Sequence, residues 1–283
     1  MALSMSRRRA AAPSLIRFRS SGENSTAVSV PASSVAVFFT ELTVICLRTP
    51  FRMTMRTVCS RSWLTISAQF NKLYESKTRI LKDWREKPSL LDTLDDFSDG
   101  MCRYSAQLIR YRAAFIERLR EEAAPIHGEF SGAGERLGIE YSTVSSVRNP
   151  LGPAQEIFYD LCEHQERHRT AEIESQQCLT GAHKDDLIIT INGQNARSFA
   201  SQGQTRTAAL SIKLAEREIY LDETGEYPVL LLDDVLSELD MRRQEFVLNR
   251  IGGGQTLITC CEDEGISKRT GGKVMHVEKG RIR

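Results

Sequence analysis

Asp233 and Asp234 stand side by side at the end of an unbroken apolar run, Val229-Leu230-Leu231-Leu232. Such a run suits a strand buried on both faces of a parallel sheet. Open α/β sheets bind ligands beyond the carboxyl ends of their strands, so both carboxylates fall where a ligand would sit. One can hold magnesium, a hard cation that takes oxygen ligands. The next can orient or deprotonate a water attacking a phosphate. Adjacent aspartates repel each other, so a nearby cation explains the pair better than a structural role does. A solvated strand end is the plain alternative. Ser237-Glu238-Leu239-Asp240 follows at once.

A second segment with chemical potential is Ser201-Gln202-Gly203-Gln204. It precedes an amphipathic helix expected from about Thr205 to Tyr220, with Ala209, Ile212, Lys213, Ala215 and Glu216 setting the pattern. A serine and free backbone amides at a helix start make an anion site, because the unpaired N–H groups and the helix dipole point outward. Gly203 would let backbone approach a phosphate closely. The alternative is an ordinary N-cap on a tight turn.

Around these segments the body reads as alternating strands and helices. Leu137, Ile139 and Tyr141 alternate with polar neighbours, which predicts a strand over 136–144. Pro153 suits the first turn of a helix reaching Ser175, with Ile157, Leu161 and His164 on one face. Leu187 to Ile191 is a strand closed by Asn192-Gly193, and that turn favours a hairpin partner in Asn195 to Phe199. A helix over Met241 to Arg250 leads through Gly252-Gly253-Gly254 to a buried strand from Thr256 to Cys260. A last strand is expected over Lys273 to Val277, with Glu278-Lys279-Gly280 as its turn. The alternation is that of an α/β fold.

Ahead of the body, residues 68–128 read as a helical arm. Phe70, Leu73, Tyr74, Ile80, Leu81 and Trp84 have helical spacing, and Lys87-Pro88-Ser89 breaks it. Met101, Tyr104, Leu108, Tyr111, Phe115 and Leu119 then form a near-heptad seam. Pro125 and Gly128 are expected to end this helix. Two helices about a Pro-containing turn suggest an antiparallel hairpin; a helical subdomain packed on the core is the alternative. Arg103, Arg110, Arg112, Arg118 and Arg120 are either a solvated face or phosphate contacts.

Composition bounds the rest. Apolar content of 41% and charged content of 27% allow a packed core and argue against global disorder. The 283 residues carry a net charge of +1. Of 38 basic and 37 acidic residues, nine and two fall in 1–71, leaving 29 and 35 beyond, a net of −6. The head, 1–67, has no lysine and reads as a targeting peptide, a basic arm for nucleic acid, or translation from another frame or start; the lysine-free composition favours the last. Val35 to Cys46 is too short to span a bilayer. Seven cysteines without a C-x-x-C pair imply reduced thiols in a cytoplasmic protein.

FASQGQTRTAALSIKLAE, Phe199 to Glu216, resembles the signature motif of the RecF family, and PVLLLDDVLSELD, Pro228 to Asp240, its Walker B and D-loop. GAHKDDL, Gly181 to Leu187, is similar to the family's GPHRDDL, with Ala182 for Pro and Lys184 for Arg. Thr259, in Ile258 to Cys261, falls at the switch position that senses the γ-phosphate. The resemblance covers about residues 68–283 and implies an ABC-ATPase-like, SMC-type head: part of a P-loop NTPase with an inserted α-helical arm. It implies that Asp233 binds magnesium and that Asp234 positions the hydrolytic water. It implies that Ser201, Gln202, Gly203 and Gln204 contact the γ-phosphate of ATP held by an opposite subunit. Ser237 to Asp240 would lie across that dimer interface. It also implies weak DNA-dependent ATP hydrolysis, ATP-dependent homodimers, binding of single-stranded and gapped DNA, and work with RecR and RecO in loading RecA during repair, replication and SOS induction.

No stretch matches G-x-x-x-x-G-K-[ST]; Gly272-Lys273 is followed by Val274. The expectation is therefore a truncated or frame-disrupted member, impaired in ATP turnover and poorly stable alone because sheet edge and apolar face are exposed. A non-catalytic DNA- or partner-binding fragment is the rival. Another SMC-class head fits less well, since those carry far longer coiled coils.

Overall fold

The computed structural model describes residues 15–16, 61–260, 271–278 and 281–282. The reading of residues 1–67 as a non-matching head falls mostly outside them. The chain divides into two compact units, Leu47–Ile219 and Met1–Cys46 with Tyr220–Arg283.

In the unit Leu47–Ile219, helix α1 spans Arg61–Asp83. It starts earlier than Phe70 because Trp63 and Phe70, two turns apart on one face, are both buried. Pro88 opens a short 3-10 segment, Pro88–Thr93, and helix α2 follows over Leu94–Ser131. Ile80 and Leu81 cluster with Leu94, while Leu73 lies beside Gly100. The two helices therefore run antiparallel.

Helix α2 does not stop at Pro125. Proline removes one N–H from the ladder, yet Ala123, Ile126, His127 and Phe130 are all buried and hold the last two turns in place. The helix ends at Gly132, whose φ of 73° is the left-handed cap. Of the seam residues, Met101, Leu108, Phe115 and Leu119 are buried, but Tyr111 is 37% exposed. Ile109 and Ile116 are buried in its stead, so the apolar face is wider than a heptad seam.

Helix α3 spans Ala154–Ser175, with Pro153 as its N-cap residue, and packs on α2. A fully buried ion pair ties it to α1: Lys77 Nζ lies 2.7 Å from Glu172 and donates to Gln165 Oε1 at 2.8 Å. Glu172 also accepts from the backbone N–H groups of Leu179 and Thr180. Every oxygen of that carboxylate is thus met, as burial of charge requires.

The same unit holds an antiparallel sheet of order β2-β3-β4, with β2 over Leu137–Ser142 and β3 over Asp186–Ile191. Leu137 pairs with Ile191, and the register runs to Ser142 opposite Asp186. Asn192 and Gly193 both take positive φ, as a tight hairpin turn demands. Strand β4 is only Gln194–Asn195. The expected strand to Phe199 is cut short because the Asn195 side chain accepts from Arg197 N–H and starts helix α4, Ala196–Phe199. Helix α5 then spans Gln202–Thr224. The compact unit does not break near residue 128: α2 packs on β2, joining the expected arm to this sheet.

In the other unit, β5 over Leu230–Asp233 and β6 over Thr256–Thr259 pair parallel, Leu230 opposite Thr256 and Asp233 opposite Thr259. Strand β1, Leu15–Ile16, pairs parallel with β6 on its other edge. Helix α6, Met241–Arg250, makes the crossover from β5 to β6. Leu232, Leu236, Leu239, Val247, Ile251 and Ile258 are buried and form the apolar content of this α/β unit. The last strands are β7, Val277–Glu278, and β8, Arg281–Ile282. The expected strand over Lys273 to Val277 shrinks to its last residue, because among the described residues no strand pairs with 273–276.

Candidate functional site

Register alone brings the first group together. Asp233 and Thr259 are the last residues of two paired parallel strands, so their side chains emerge at one edge. Thr259 Oγ1 donates to Asp233 Oδ1 at 2.5 Å. The same oxygen accepts from Asp234 N–H at 3.0 Å, and that N–H also points at the Thr259 carbonyl at 3.1 Å. Asp234 has φ 53°, a left-handed conformation that costs a non-glycine residue about 1 kcal/mol. The bonds to Thr259 hold it there. Ser237 closes the cluster, its hydroxyl 2.7 Å from both the carbonyl and the carboxylate of Asp234. Asp240 stands apart as the N-cap of α6, accepting from Arg243 N–H at 3.0 Å.

Both aspartates are exposed at the strand end. Magnesium keeps several waters and takes one or two protein carboxylates alongside substrate phosphates. Asp233 and Asp234 fit that donor set. Among the described residues no group of three or more His, Cys, Asp or Glu forms a fuller cage.

The second group belongs to the unit Leu47–Ile219. Ser201 Oγ accepts from Gln204 N–H at 3.2 Å, and Gln204 Oε1 accepts from Ser201 N–H at 2.9 Å. This is a reciprocal capping box, and it explains why α5 starts at Gln202 rather than Thr205. Gln202 is exposed and Gly203 half-buried at the mouth of the helix. The Gln204 side chain is turned inward, with Nε2 donating to Glu135 Oε1 at 2.8 Å. Sequence reasoning missed Glu135, which sits in the loop between α2 and β2 and carries no pattern of its own.

The Gly181 to Leu187 segment is structural in its key contacts. The Asp185 side chain is buried and accepts from Arg112, from Tyr141 Oη at 2.5 Å and from Thr143 Oγ1 at 2.7 Å. Burial pushes its carboxyl up from the ordinary range, against the pull of Arg112. Burial likewise pushes the Tyr141 hydroxyl up, with Asp185 adding to it. Arg112 is therefore neither a solvated nor a phosphate-facing arginine. Arg103 pairs with Asp99 and Arg120 with Glu117 along the surface of α2. Cys102, Cys162 and Cys178 are free thiols.

No protein-family model matches the chain. Individual relatives do. The DNA replication and repair protein RecF of Acetivibrio thermocellus is 40% identical over 215 residues, covering 75% of this chain and 58% of that protein. RecF of Listeria monocytogenes is 41% identical over 225 residues, covering 76% and 59%. Among solved structures, the recombination mediator protein RecF in its ATPrS form superposes with a TM-score of 0.71 at 31% identity, covering 81% of this chain and 60% of that one. The ATP form gives the same TM-score at 30% identity. The chain thus spans about three fifths of the length of the curated relatives it matches. Over the three quarters of its length that align, the chain belongs to the RecF family as its C-terminal part, and its fold is the α/β, ABC-type ATPase head of that family with an inserted helical arm.

Proposed function

We propose that this chain supplies the signature side of a RecF-type ATP site in DNA repair and replication. One observation carries the reading: Ser201 and Gln204 close a reciprocal capping box that leaves an exposed serine hydroxyl at the N-terminal mouth of α5. In the reading, Asp233 holds Mg2+ and Asp234 orients water toward the γ-phosphate. Thr259 reports the nucleotide state to both. Ser237 and Asp240 face the opposite subunit, and Ser201, Gln202 and Gly203 give hydroxyl and backbone N–H contacts to ATP held there. Gln204 acts from behind, through the capping box.

Because the sequence has no phosphate loop, its own ATP turnover is expected to be slight, and the opposite subunit must be a RecF that carries one. The wider role follows the family: ATP-dependent pairing, single-stranded and gapped DNA, RecR- and RecO-type partners, SOS induction, and the cytoplasm as the place of action. Among the described residues no helix is long and apolar enough to cross a membrane. The DNA reading gains nothing from Arg103, Arg112 and Arg120, each of which is paired with a carboxylate.

The test is sedimentation of this chain mixed with an intact RecF, with and without ATP and magnesium. ATP-dependent association is expected, weakened about tenfold or more by Ser201→Ala, which removes a charge-assisted hydrogen bond. No ATP dependence, or no effect of Ser201→Ala, would count against the reading.

A further inference from the structure

We propose that Glu135 is a positioning residue for the signature segment: it sets the Gln204 carboxamide and, through it, the aim of the Ser201 hydroxyl. The inference rests on the trans-contact reading of Ser201 given above.

The argument is one of donors and acceptors. An ionised carboxylate only accepts, so Glu135 Oε1 at 2.8 Å requires the NH2 end of Gln204. The oxygen end is thereby sent toward Ser201 N–H, which it meets at 2.9 Å. With the carboxamide locked in that sense, the first turn is drawn in and Gln204 N–H reaches Ser201 Oγ at 3.2 Å. A serine hydroxyl that accepts an N–H still has its own proton to give. Ser201 is exposed, so that proton is available to an anion at the mouth of α5. Were the Gln204 amide flipped, its NH2 would confront Ser201 N–H, and the box would open.

Glu135 is itself held. Its side chain is only 18% exposed, and Oε2 lies 3.4 Å from Nε2 of His127, which is fully buried near the end of α2. His127 Nδ1 in turn lies 3.3 Å from Ser211 Oγ on α5. Ser211 donates to the Thr207 carbonyl one turn earlier, at 2.7 Å. The arm helix, the loop after it and the signature helix thus bring His127, Glu135 and Gln204 side by side, with the Glu135–Gln204 hydrogen bond leading to Ser201.

The test compares Glu135→Ala, Glu135→Gln and Ser201→Ala. Glu135→Ala is expected to speed hydrogen exchange at the Ser201 amide by about tenfold while amides at 208–214 inside α5 keep their protection. It is expected to weaken ATP-dependent association with an intact RecF by about tenfold. Glu135→Gln retains an acceptor for Gln204 and should rescue most of both. Unchanged Ser201 exchange in Glu135→Ala, or equal acceleration along all of α5, would overturn the proposal. Normal association of Glu135→Ala beside failed association of Ser201→Ala would sink the Glu135 role alone. Normal association of Ser201→Ala would sink the signature reading, and this inference with it.

Discussion

At the scale of single residues, Thr259 shows how one hydroxyl can tie two motifs. It donates to Asp233 and accepts from the backbone of Asp234, so a change at the tip of β6 is felt by both carboxylates. The buried ion pair of the arm follows a different logic. Lys77 and Glu172 have no exposed side-chain surface, and both carboxylate oxygens are met. Lys77→Met would leave a carboxylate in the interior without its cation, costing about 3–5 kcal/mol. Urea unfolding should show that loss, and the double variant Lys77→Met/Glu172→Gln should recover part of it. An unchanged midpoint in Lys77→Met would mean the pair is not buried as described. Neither Lys77 nor Glu135 was legible as a partner in the sequence, because a contact made 95 or 69 residues away leaves no local pattern. The paired aspartates were legible, since their position after an apolar run is itself local.

At the scale of elements, period was a sound guide and punctuation an uneven one: Pro88 and Asn192-Gly193 fall at real breaks, and Pro125 does not. The apolar spacing located α1, α2, α3 and α5, and apolar alternation located β2. Pro125 misled because tertiary burial of Ile126 and Phe130 outweighs one missing hydrogen bond. Asn195 misled in the other direction, because its side chain caps a helix where a strand seemed to continue. Helix α3 and the segment after it also carry a pH prediction. Burial lowers the imidazole pKa of His164, with His168 stacked on it at 4.0 Å, and burial also lowers that of His183. In the unfolded chain these groups titrate near about 6.5. The unfolded state therefore binds more protons below that value, and stability falls as pH drops from about 6.5 through the lowered folded values. Denaturation midpoints at about pH 7.5 and about pH 5.5 should differ accordingly, and His164→Gln/His183→Gln should flatten the difference. An equal slope in that variant would assign the pH dependence elsewhere.

At the scale of the whole molecule, the α/β class and the family were readable from two motifs. The sequence suggested a helical arm ahead of an ATPase body, yet α2 and α3 share a compact unit with the antiparallel sheet and most of the signature helix. Sheet membership depends on non-local pairing, and strand Leu15–Ile16 beside β6 is such a pairing, inside a head whose composition signalled nothing of the kind. The Ser201–Gln204 segment carries its capping box, and on the proposed function it is the part an opposite subunit would use. The most direct test is ATP hydrolysis by an intact RecF relative disabled in its own signature serine, with this chain added. The account predicts that the chain restores magnesium-dependent turnover and that its Ser201→Ala variant does not. No restoration under conditions where the two proteins associate would contradict it.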